Sequence, residues 1–99
     1  TFEFTVRELS FADRVNARVD EEHPGLLVEN VEPAGWAALA GLRQGDMLLK
    51  VDGETQLTID QFEKTLQQLV DIQSQRIIFF VKRGIHTLFL ELEPDWDEG

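Results

Sequence analysis

The chain has 99 residues, 42% of them hydrophobic, with 19 acidic against 9 basic side chains and a formal net charge of −10. That length allows one domain with a modest core, and the apolar share with seven Phe argues against disorder. The acidic balance argues against nucleic acid and anionic membrane surfaces as partners and reads as a soluble, non-sticky surface. Having no cysteine, the chain has neither disulfides nor thiol catalysis, and no run approaches the ~18 apolar residues that membrane insertion by a helix needs.

Thr1 to Leu9 alternates, with Phe2, Phe4 and Val6 on one side and Glu3, Thr5 and Arg7 on the other. This period predicts a strand with one buried face. The chain opens abruptly in that segment without a basic and then apolar leader, so it is expected to be a piece of a longer protein. Ser10 and Asp13 form a capping box, and Phe11, Val15 and Val19 recur at i, i+4 and i+8, predicting a short helix to about Val19. The charged connection Asp20 to Pro24 lacks the spaced oxygen ligands and glycine of a calcium loop, so no metal is expected there.

The centre of the chain is Gly25 to Gly53, GLLVENVEPAGWAALAGLRQGDMLLKVDG. Leu26, Leu27, Val28 and Val31 predict a strand, which Glu32-Pro33-Ala34-Gly35 breaks, with glycine tolerating positive φ. Trp36 to Leu42 is a helix too short to stand alone, with Trp36, Leu39 and Leu42 as its anchors in the core. Gly45-Asp46 turns into the strand Met47 to Val51, and Asp52-Gly53 is a tight-turn signal. Glu54 to Leu57 is a short extended piece. Thr58 and Gln61 begin a helix in which Phe62, Leu66, Leu69 and Val70 form one stripe, with Asp60 favouring its positive end. Arg76 to Lys82 is dense in β-branched and aromatic residues and predicts a strand buried on both sides. His86 to Glu93 alternates again, Leu88, Leu90 and Leu92 inward, and Pro94 ends it. Residues 1–94 are thus one domain and 95–99 an acidic tail or linker.

The glycine-started strand, Ala-Gly-Leu, Gly-Asp, aliphatic strand and Asp-Gly of "EPAGWAALAGLRQGDMLLKVDG" resemble the PDZ domain, closely that of bacterial HtrA-type (Do-like) serine proteases. Trp36 is a departure, since relatives carry a small residue or proline there. The resemblance implies a mixed α+β fold, a partly open β-barrel or sandwich of about five strands capped by two helices. It also implies the permuted bacterial strand order, in which the first strand lines the ligand groove and the last fills the place of the first strand in animal-type domains.

The same resemblance places a peptide-binding groove between the first strand and the helix Ile59 to Val70. An extended peptide would add a strand beside Phe4, Thr5 and Val6, and Thr1-Phe2-Glu3-Phe4 would take the position of the carboxylate-binding loop. Ile59, Glu63 and Leu66 map to the helix positions of the groove. Ile59 can neither donate nor accept, which favours an apolar residue two before the end of the peptide. Leu66, Phe2 and Phe4 either line the pocket for its last side chain or are simply core. Glu3 stands where relatives carry glycine, and its charge opposes a carboxylate by roughly 1 to 4 kcal/mol at ~4 Å.

No Gly-x-Ser-x-Gly, His-Glu-x-x-His or phosphate loop is present, and the chain has only two serines and two histidines. The domain itself is therefore expected to be non-catalytic and to need no cofactor. Two readings stand. The first is a peptide-binding regulatory module of a larger bacterial protease or protease-like protein. The second is a docking domain with a degenerate carboxylate loop, which would dock to a neighbouring domain, to internal strands or to other protomers. The resemblance alone implies a periplasmic or cell-envelope location.

Overall fold

In a computed structural model the described residues are 4–17, 25–55 and 58–94. Phe2, Glu3, Val19, the Asp20–Pro24 connection, Gln56-Leu57 and the tail 95–99 lie outside them. One antiparallel sheet organises the molecule, with strands in the order β1 (Phe4–Glu8), β2 (Leu26–Val31), β3 (Met47–Val51), β5 (Ile77–Arg83) and β6 (His86–Leu92). The two-residue β4 (Glu54–Thr55) pairs with β3. Three helices join them: α1 (Phe11–Ala17), the single turn α2 (Trp36–Leu39) and α3 (Ile59–Asp71). The fold class is the expected mixed α+β one, with six strands and three helices among the described residues where about five and two were expected.

Local chemistry accounts for the joints. Asp52 and Gly53 both take positive φ (49° and 85°), the mirror-image turn that matches strand twist, and close the β3–β4 hairpin. The capping box at α1 is reciprocal: Ser10 N donates to Asp13 Oδ2 (2.8 Å) and Asp13 N to Ser10 Oγ (3.1 Å). Thr58 caps α3 by accepting from Gln61 N at 3.1 Å. At the turn after β2 the left-handed residue is Ala34 (φ 64°), not Gly35, whose extended backbone caps α2.

The core lies on one face of the sheet. Leu26 and Val28, Leu48 and Val51, Ile77, Phe79 and Val81, and Leu92 are fully buried there, under Phe62 and Leu69 of α3. Period-two geometry sends the next residues outward, so β5 is buried on one face rather than two. Ile78 is exposed, and half-buried Phe80 rests on exposed Phe89, ring centroids 4.7 Å apart.

Leu42 is buried as expected, but the apolar faces of all three helices differ in part from expectation. Trp36 is half-buried at the margin of the core, and Leu39 is 78% exposed, because a one-turn helix buries one side and Ala37 takes it. On α1, Phe11 and Val15 are 75% and 56% exposed, so that apolar stripe faces solvent among the described residues. On α3 the buried stripe is Phe62, Thr65 and Leu69, with Leu66 half-buried and Val70 on its solvent flank.

Candidate functional site: the edge of the first strand and the flank of the third helix

Strand β1 is an end of the sheet: β2 covers one side, and among the described residues no strand pairs with the other. An uncovered edge presents a row of backbone donors and acceptors, which is what a further strand needs. Helix α3 lies beside it and runs the opposite way. Phe4 at the start of β1 stacks on Phe62 (centroids 6.1 Å), whereas Glu8 at its end accepts from Ile59 N at 3.2 Å. Strand edge and helix flank therefore bound a groove.

Alternation assigns the side chains. Phe4, Val6 and Glu8 point toward α3, and Thr5 and Arg7 away from it. Phe4 is 7% exposed and stacks edge-on against Phe79 (5.6 Å) and Trp36 (6.4 Å). Of the two roles open to it, core is the one it takes. It forms the floor beneath the groove rather than a wall within it. Val6 is half-buried above that floor, and Thr5 is exposed.

On α3, steps of about 100° per residue put Ile59, Glu63, Leu66 and Val70 along one flank, between the buried stripe and solvent. Ile59 and Leu66 are half-buried, Glu63 and Val70 exposed. Phe4 belongs to the core cluster against which Val6, Ile59 and Leu66 pack, Glu63 is exposed on the same helix flank, and Thr5 stands on the far side of the strand. The structure adds two residues. Val70 extends the apolar flank, having been read as core from the stripe alone. Glu8 closes the groove at its upper end, and continuing the alternation of Phe4 and Val6 by one step would have placed it there.

Arg7 secures the groove strand from behind. Its Nη1 and Nη2 donate to Asp13 Oδ2 and Oδ1 (2.5 and 3.0 Å), and its Nε lies 3.7 Å from Glu29. The guanidinium and the Ser10 amide hold the Asp13 carboxyl down to about 2. Behind the sheet, Asp46, 1% exposed, receives Arg83 Nε and Nη2, both at 2.7 Å, and Arg43 N at 2.9 Å.

Both serines bond to local backbone or caps: Ser10 at α1, and Ser74, whose Oγ donates to Arg76 O at 2.8 Å. No helix among the described residues is long and apolar enough to cross a membrane. A separate open cavity of about 540 Å3, between α1 and the β5–β6 turn, is lined by Asp13, Leu27, Met47, Lys82 and Ile85 among others. It touches neither the β1 edge nor α3.

Residues 27–76, from β2 to the threshold of β5, match the PDZ domain family. This chain belongs to that family, whose members are non-catalytic modules, and its relatives are those of HtrA-type proteases. It is 30% identical over 74 residues to a probable periplasmic serine endoprotease DegP-like of Chlamydia pneumoniae, covering 75% of this chain and 14% of that protein. The fold is also that of the HtrA3 PDZ domain bound to a phage-derived ligand, FGRWV. The TM-score there is 0.71 and the identity 20%, over 96% of this chain and 84% of that one. The HtrA-type protease AlgW with a decapeptide gives a TM-score of 0.73 at 23% identity, over 94% of this chain and 28% of that one. The chain thus spans a small part of the whole proteases it matches.

Proposed function

We propose that this domain binds extended peptides by strand addition to β1, capturing an apolar carboxyl-terminal residue. The observation that carries the reading is the β1 edge, with no strand paired to it among the described residues, beside the apolar flank Ile59, Leu66 and Val70 of α3. Backbone pairing supplies affinity, and the helix flank selects alternate side chains. The bound peptides of the HtrA3 and AlgW structures, one of them ending in valine, support it by analogy of fold. Affinity in the micromolar range or weaker is expected of so small an interface. The parent is proposed to be an HtrA-like serine protease or protease-like protein of the periplasm or cell envelope, with this domain regulating or delivering substrates to it. The DegP-like relative supports that extension.

A docking domain is the second reading. It is favoured by Glu3 where the family resemblance implies a glycine and by exposed Phe11 and Val15, which offer a neighbouring domain an apolar handhold. Calorimetric titration with one apolar-ended peptide, as free acid and as amide, separates the two. Peptide capture predicts binding that Ile59→Asp abolishes and amidation weakens, and up to about a tenfold gain in Glu3→Gly, or ~1.4 kcal/mol. Binding that ignores amidation and all of these substitutions would leave the docking reading in place.

A further inference from the structure

Strand β6 is the other end of the sheet: β5 covers one side of it, and among the described residues no strand pairs with the second. We infer that this edge joins a second copy of the chain, β6 against β6 and antiparallel, about a two-fold axis through Phe89. Such a pairing leaves β1, at the opposite end of the sheet, free.

Hydrogen bonds fix which backbone groups face outward. Ile78 N donates to Asp52 Oδ1 and Asp52 N to Ile78 O, both at 2.7 Å, so both backbone groups of Ile78 turn away from β6. Ile78 pairs with Glu91, and opposite residues of an antiparallel ladder either both face each other or both turn away. Glu91 and, by alternation, Phe89 and Thr87 therefore present their N–H and C=O groups at the open edge. Natural edges are blunted by lysine, proline, a bulge or shortness. β6 has none of these, being seven residues, HTLFLEL, paired with β5 without a register shift. β1, by contrast, has five residues and a shift between Thr5 and Val6.

The edge matches itself. A two-fold axis through Phe89 uses all three outward residues: Phe89 pairs with the partner's Phe89, and Thr87 of each copy with Glu91 of the other. Phe89 is 75% exposed and stacks on Phe80, so four rings line up across the axis. On the opposite face, half-buried Leu88 meets the partner's Leu90. Charge fits as well. The strand begins beside Lys82, which pairs with Thr87, and it ends in exposed Glu91 and Glu93. Antiparallel pairing lays the acidic end of each copy along the basic end of the other, and no paired residues carry like charge. Seven residues a side fall short of the roughly 20 to 30 of a stable interface, and the charge of −10 on each copy opposes association. The dimer is therefore weak, with Kd at about 0.1 to 1 mM.

Sedimentation equilibrium of the 99-residue chain tests this, at concentrations bracketing that Kd and in about 0.15 M salt to screen the net charge. Monomer is expected to pass to dimer as concentration rises. Thr87→Lys sets a cation opposite the partner's Glu91 at two symmetric places and should tighten the dimer about threefold to tenfold. A gain of that kind cannot come from unfolding. Gln68→Lys makes the same change of charge at an exposed position of α3 and should tighten it by less than about twofold. Phe89→Lys sets two cations face to face and should abolish it. Hydrogen exchange at the amides of Thr87, Phe89 and Glu91 should slow as concentration rises, while that of β1 stays constant. A chain that remains monomeric at the highest concentration would overturn the pairing. So would a dimer that Gln68→Lys tightens as much as Thr87→Lys, or one whose newly protected amides lie on β1 or α1.

Discussion

Asp46 and Arg83 show how much depends on which partner of a buried pair can reach water. Asp46 is enclosed, whereas the Arg83 side chain is 31% exposed and also donates to Gly41 O at 2.8 Å. Removing the arginine strands an anion in the interior, so Arg83→Met is expected to cost about 3 to 5 kcal/mol. Asp46→Asn leaves Arg83 able to turn to solvent and keeps an acceptor for Arg43 N, so about 1 to 2 kcal/mol is expected. Denaturant melts of the two variants check the order, and equal losses would mean that the pair is wetter than its geometry. Neither partner was legible in the sequence as more than part of a turn, because the two lie 37 positions apart. The Asp-Gly turn and both helix caps were legible, since their chemistry is complete within four residues. Ala34 was not: the sequence offers Gly35 next to it, and the register of the α2 turn decides which takes positive φ.

At the level of elements, strand β1 and helix α1 are tied by Arg7, Asp13 and Ser10, and the tie is pH-dependent. Asp13 is depressed from 3.8 to about 2, chiefly by its hydrogen bond from Arg7. A lowered folded value means stability that is present above pH 4 and is lost as pH falls from there toward 2. Asp13→Asn should therefore cost on the order of 1 kcal/mol at neutral pH, allowing for screening at the half-exposed arginine, and the gap should close near pH 2. Melts of both proteins from pH 2 to 6 measure it, and a gap constant with pH would remove the ion pair as its cause. The periodicity that found α1 and α3 said nothing about what covers them. A spacing of i, i+4 marks one face, and only tertiary packing decides that Phe62 goes under the sheet while Phe11 stays in solvent. The same limit applied to β5, whose apolar density concealed an outward Ile78 and Phe80.

For the whole molecule, an edge strand, an antiparallel helix and a one-sided core together set out the proposed groove. The glycine-spaced centre of the chain was enough to reveal the fold. The groove needed more, because Phe4 is both a strand residue and the aromatic centre of the core, and only its contacts with Phe62, Phe79 and Trp36 show which role prevails. The most direct test is to map the amide shifts that an apolar-ended free-acid peptide induces in the isotope-labelled chain. Strand addition predicts that they concentrate on Phe4 to Glu8 and on Ile59 to Val70, with β6 and α1 unmoved. Shifts centred on Phe11, Val15 or the outer face at Phe80 and Phe89, with β1 silent, would contradict it.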